Sequence, residues 1–154
     1  AGDLAGTTTA GLSAADGGVG ALRASGMELP IRTASVDVCY SSNVLEHVPD
    51  PAAIVKACAQ LVRPGGWVFF STINRNPKSY LHAVIGAEYL LRLLPKGTHD
   101  YAKFITPAEL AQFMRFAGLE LSSLKGMSFN PLTKIYSLNN DTSVNYLVSC
   151  KKPL

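Results

Sequence analysis

Charge is scarce in this chain. Asp, Glu, Lys and Arg make up 16% of its 154 residues, whereas 47% are hydrophobic. That balance excludes a chain held open by like charges and implies a packed core. The 14 basic and 11 acidic residues leave a net charge of +3. No stretch gathers several basic residues, so no nucleic-acid footprint is present. Cysteine is also sparse. Cys39, Cys58 and Cys150 are dispersed and odd in number, which excludes a disulfide framework and zinc-ligand spacing and fits a reducing compartment. No basic and apolar leader with a small-residue cleavage site opens the sequence, so the expectation is a cytoplasmic protein. No internal repeat is visible, and the length suits one core rather than two ordinary domains. Nor is there a nucleotide fingerprint. Gly17, Gly18 and Gly20 do not follow a clear strand, so they read as loop or linker, and a dinucleotide oxidoreductase is set aside.

What is present begins at Val36. Residues 1–35 are rich in Gly, Ala, Ser and Thr and form a poorly defined segment, with a glycine-burdened helical piece from Ser13 to Ala24. Val36–Tyr40 is a short apolar run suited to a buried parallel strand. Asp50 is a helix cap and Pro51 a first helical residue; Ile54, Ala57, Cys58 and Leu61 give one stripe, widened by Val55 and Val62. The helix ends near Arg63, Gly65 and Gly66 turn the chain, and Trp67–Thr72 is a central strand. Strand, helix, strand is a βαβ unit, and its strands should be parallel neighbours. Ligands of such sheets sit outside the carboxyl ends of the strands. Ser41, Ser42, Asn43, Glu46 and His47 therefore share one candidate site, with residues 71–76 beside them.

Downstream, Tyr80–Leu94 reads as a helix apolar on nearly every face. It is too short and interrupted for a membrane span and fits core burial, a lid or lipid contact, or an oligomer contact. Residues 95–104 form a loop in which His99 and Asp100 are either a base with its orienter or a hydrogen-bonded loop pair, and Tyr101 and Lys103 face either solvent or substrate. Thr106, Pro107 and Glu109 are a helix start with a capping box; Leu110, Phe113, Met114 and Ala117 are its buried face, and Gly118 its stop. Strands follow at 119–124, 135–138 and 144–150, with a loop at 128–134 and a tail at 151–154. The last strands look antiparallel, joined by loops.

The run Leu45–Pro51, with Ala57–Gly66, resembles class I S-adenosylmethionine-dependent methyltransferases. The runs Phe69–Ser79, Val84–Tyr89, Leu94–Asp100 and Phe104–Leu110, then Asn130–Pro131 and Val144–Tyr146, are similar to the ubiquinone-biosynthesis O-methyltransferases within that class. The likeness covers residues 36–150. It implies an α/β Rossmann-like sheet, mostly parallel with an antiparallel C-terminal edge. It also implies methyl transfer from S-adenosylmethionine to a hydroxyl of a polyprenylated phenol or catechol, and partners in a biosynthetic complex. Ser42, with Ser41 beside it, falls where the family contacts the methyl donor. Asn43, Glu46 and His47 fall on its divalent-metal triad, a Mg2+-type site, with Asn43 replacing a carboxylate. Asn offers a carbonyl oxygen but no charge, so the cation should bind more weakly.

The insertion at 76–96 resembles the family's membrane-contact segment, which would place the protein peripherally on the inner membrane, with Arg75 and Lys78 at acidic headgroups. Glu46 and His47 are the expected catalytic pair, His47 acting as base or through a metal; on the residues alone, a structural hydrogen bond is the rival role. The family's glycine-rich donor loop, ribose-holding acid and third strand have no recognisable counterpart before Val36. Two other readings stay open: a different small-molecule methyltransferase, favoured by Asn43, and a truncated, non-catalytic lipid-binding remnant.

Overall fold

The computed structural model describes residues 7–13, 19–26, 28–80, 101–130 and 132–154. Its organising unit is the expected crossover. β3 (Val36–Ser42) leads through a 3-10 turn (Leu45–His47) into α1 (Pro51–Leu61) and returns as β4 (Val62–Ile73). The helix starts where local chemistry says it must. Asp50 Oδ1 accepts from the Ala53 amide at 3.1 Å, and Pro51 takes the position whose N–H would go unused. α1 buries Ile54, Val55, Cys58 and Ala59 in one core with Val68 and Phe70 of β4, and Leu61 is buried as well. Burying each of the larger of these side chains stabilises by about 1.5–3 kcal/mol before entropy is counted.

β4 begins earlier than expected, at Val62 rather than Trp67, and runs through the two glycines. Gly65 adopts φ +79°, and a Cβ on Gly66 would lie 2.7 Å from the Asp37 carbonyl oxygen. Only glycine lets the strand pass there without displacing β3.

The main sheet has five strands in the order β3-β4-β7-β5-β6, where β5 is Glu120–Asn130, β6 is Ile135–Asn139 and β7 is Asn145–Lys151. β3 and β4 are parallel and the other three ladders antiparallel, so the sheet is mixed rather than mostly parallel as expected. The antiparallel part is not confined to an edge but runs from β4 to β6, because loops rather than crossover helices join β5, β6 and β7. Phe70 pairs with Val148 and Thr72 with Tyr146, so these residues share the face that packs on α1 and on α3 (Pro107–Phe116). Tyr146 Oη donates to the Ile105 carbonyl at 2.8 Å, which locks the chain before α3 onto the sheet. α3 starts with the predicted capping box between Thr106 and Glu109, and Gly118 at φ +75° follows its end. All three cysteines are free thiols. A short helix, α2 (Pro77–Tyr80), follows β4.

Three further expectations are corrected. Ser13 and residues 19–24 of the expected helical piece instead lie in a separate antiparallel pair, β1 (Thr7–Ser13) with β2 (Val19–Ser25), and residues 14–18 lie outside the described residues. Interior glycine costs a helix about 1 kcal/mol each, and this stretch carries three of them. β3 is not buried on both faces. It is the sheet's edge strand, and Val38 and Tyr40 are exposed on the face away from the helices. The expected loop at 128–134 is mostly strand, because β5 runs on to Asn130 and turns into β6. The apolar helix expected over Tyr80–Leu94, and the His99–Asp100 pair, lie outside the described residues beyond Tyr80.

Candidate functional site

The carboxyl ends of the parallel strands β3 and β4 carry a row of polar side chains. Ser71 Oγ donates to Ser42 Oγ at 3.0 Å across the pair. Ser41, one residue earlier, is buried on the helix-packed face opposite Ser42. Asn43 then takes φ +50°, a left-handed conformation that Asn tolerates better than most residues. Its amide donates to the Ser71 carbonyl at 2.9 Å. That reversal turns the chain into Leu45–His47.

Within this turn the side chains separate. Leu45 and Glu46 are buried, while Asn43 and His47 are exposed. Glu46 is only 2% exposed. Its Oε2 accepts from Thr72 Oγ1 at 2.8 Å, and its Oε1 is buried with no hydrogen-bond partner among the described residues. A buried acceptor left unmade costs about 1–3 kcal/mol, more when charged. An oxygen kept in that state is a place for a proton, a ligand hydroxyl or a cation.

Beside the turn opens a pocket of about 200 Å³, lined by Leu45, Val48, Phe104, Ile105 and Phe113, with Arg75, Lys103 and Glu109 as its charged groups. Arg75 Nη2 pairs with Glu109 Oε1. Glu109 Oε2 accepts from the Thr106 amide at 2.8 Å and from Thr106 Oγ1 at 2.9 Å. Partial burial works against the Glu109 charge, but the bonds from Thr106 and then Arg75 hold its carboxyl below the ordinary value. Burial, then the Glu109 and Glu46 charges, push the Tyr146 phenol well above its ordinary range, so it remains a neutral donor. Lys78 donates to Asp141 Oδ2 at 2.9 Å and to Ser143 Oγ at 2.7 Å.

The structure thus brings together Ser42 with Ser71, and Glu46 with Thr72. Thr72 lies in the stretch 71–76 expected beside the site, but its bond to Glu46 was not foreseen. Its signal was the alternation Val68, Phe70, Thr72, which puts a hydroxyl in line with two core residues at the strand's carboxyl end. Pairing of Arg75 with Glu109 had no local signal, since the two are 34 residues apart. Among the described residues no group of three or more His, Cys, Asp or Glu could hold a metal ion.

Residues 11–124 match a family of methyltransferase domains. Curated relatives named ubiquinone biosynthesis O-methyltransferase include one from Aromatoleum aromaticum, 68% identical over 116 residues, and one from Thiobacillus denitrificans, 66% identical over 116 residues. Each alignment covers 75% of this chain and 50% of the relative, so the chain spans about half the length of the curated relatives it matches. Among solved structures, a S-adenosylmethionine-dependent methyltransferase from Thermotoga maritima, a possible histamine N-methyltransferase, superposes with a TM-score of 0.62 at 18% identity, covering 85% of this chain and 63% of that one. At that identity the likeness concerns the fold and leaves the reaction to the site. With the family match extending over residues 11–124 and the α/β sheet shared with these enzymes, this chain belongs to the methyltransferase-domain family.

Proposed function

We propose that this chain belongs to a S-adenosylmethionine-dependent O-methyltransferase acting on a polyprenylated phenol or catechol of ubiquinone biosynthesis. The names of relatives 66–68% identical support the substrate class. The observation that carries the site is the buried Glu46 carboxylate, with one oxygen fixed by Thr72 and the other buried without a partner among the described residues, at the carboxyl ends of β3 and β4.

S-adenosylmethionine, when bound, supplies an electrophilic methyl group on a sulfonium sulfur. The acceptor oxygen must approach in line with the departing sulfur while it loses its proton. Thr72 holds Glu46 so that Oε1 can take a hydrogen bond from the acceptor hydroxyl and its proton as the O–C bond forms. His47, exposed on the same turn, is the alternative proton acceptor. Ser42, held by Ser71, is the donor-side contact, and Ser41 braces that strand end from the other face. The apolar wall of Leu45, Val48, Phe104 and Phe113 suits an aromatic ring and the start of a prenyl tail.

The described residues do not fit a divalent cation. Glu46 is buried while Asn43 and His47 are exposed on the same turn, Asn43 supplies no charge, and no group of three or more His, Cys, Asp or Glu stands together. Residues 76–96 are the candidate lipid contact or lid. Among the described residues no helix is long and apolar enough to cross a membrane. Lys78 and Arg75 already have protein partners, so headgroup contact there would compete with Asp141 and Glu109.

Calorimetric titration with S-adenosylmethionine tests donor binding. Turnover of a polyprenylated catechol beside a simple phenol tests the acceptor. The expected result is donor binding with preference for the prenylated substrate; equal turnover of both would favour a different small-molecule methyltransferase, which Asn43 also allows.

A further inference from the structure

The hairpin of β5 and β6 overhangs the sheet. Gly126 pairs with Tyr146, and Tyr146 pairs with Thr72, so these three lie at one level, that of the Glu46 site. β5 runs in the same direction as β4 and continues for four residues past Gly126, about 13 Å at the antiparallel rise per residue. The hairpin tip therefore stands out beyond the same sheet edge that carries the candidate site.

Its composition is unusual for a projecting element. Register places Met127, Phe129, Tyr136 and Leu138 on one face. Phe129 and Tyr136 touch ring to ring, with centroids 4.6 Å apart, yet Tyr136 stays 65% and Leu138 60% exposed. Leu132, at the tip, is 92% exposed and Ile135 is 62% exposed. The turn is nonetheless well made. Asn130 Oδ1 accepts from the amides of Leu132 and Thr133, which fixes Leu132 outward. Across residues 121–140 there is no Asp or Glu, and Lys125 and Lys134 are the charged residues. A projecting, acid-free apolar tip with flanking lysines complements a surface that is apolar inside and negative at its rim.

We infer that the β5–β6 hairpin, through Leu132, Ile135 and Tyr136 with Lys134 at the headgroup level, inserts into an anionic lipid surface, so that the Glu46 end of the sheet faces the membrane. This contact is distinct from residues 76–96. It requires no methyl transfer and can be measured without turnover.

The test uses the full chain with vesicles of phosphatidylcholine, alone or mixed with phosphatidylglycerol. Leu132→Ser should weaken partitioning about tenfold or more, the scale of burying one leucine. Lys134→Glu should weaken it about tenfold on the anionic vesicles and little on the neutral ones. Both positions are exposed, so circular dichroism should show an unchanged fold. Leu132→Trp should give emission that moves to the blue, and is quenched by brominated lipid chains, only when vesicles are present. Three results would overturn the contact: undiminished partitioning of Leu132→Ser and Lys134→Glu, an added tryptophan that vesicles do not shift, or a blue shift that grows with protein concentration in plain buffer. The last would assign the tip to a second copy of the chain.

Discussion

Glu46 and Glu109 are two carboxylates near one pocket, and they are built for different work. Glu109 is used up by the fold. Three hydrogen bonds from Thr106 and Arg75 take both of its oxygens, and it anchors the first turn of α3. Glu46 is more deeply buried yet holds a single bond, from Thr72, with its second oxygen buried and without a partner among the described residues. A fold that merely needed a polar group there could have closed that bond. The contrast separates a carboxylate whose loss should be read in melting from one whose loss should be read in turnover.

The largest effect expected from breaking this contrast is at Glu46. Glu46→Gln keeps size and the bond to Thr72 but removes the proposed proton acceptor. kcat/KM for methyl transfer should fall by about 10²–10⁴, measured by product formation from labelled donor. Retention of full activity would move the proton step to His47. Next is Thr72→Val, which leaves both Glu46 oxygens without a protein donor. Chemical denaturation should show a loss of about 1–3 kcal/mol, with turnover reduced because the carboxylate is no longer aimed. The smallest change is Glu109→Gln, which loses one arm of the capping box and the Arg75 pair. Melting should register about 1 kcal/mol.

The same variant carries a pH signature. The Glu109 carboxyl is held below its ordinary value of 4.5 in the fold, so the unfolded chain takes the proton first. Its stabilising contribution is full above that ordinary value and drains away as pH falls through the lower, folded one. Replacing it with Gln should flatten the acid limb of the stability curve.

Legibility in the sequence followed the range of the interactions. Asp50–Pro51 and Thr106–Pro107–Glu109 announced both longer helices, since a cap is decided within four residues. The parallel β3–β4 pair, and with it the polar row at the strands' carboxyl ends, was equally readable, because a single helix must return the strand beside its origin. The bond from Thr72 to Glu46 joins residues 26 apart, and no local rule forecasts it. The length of β5 was hidden for the same reason. It is set by pairing with β6 and β7, whereas Gly126, Asn130 and Pro131 locally resemble a loop. At 13–24 the strands of the β1–β2 pair depend on a partner too, while the small residues there also permit a helix.

Gly66 has a consequence for anyone scanning this chain by mutation. It sits five residues from Ser71 and has no reactive atom, yet its missing side chain sets how closely β3 can lie against β4. An alanine there would wedge the strands apart at their amino ends and upset the alignment of the hydroxyls at the other. Position 66 should therefore score like a catalytic residue in an activity screen, for a reason that is purely one of spacing.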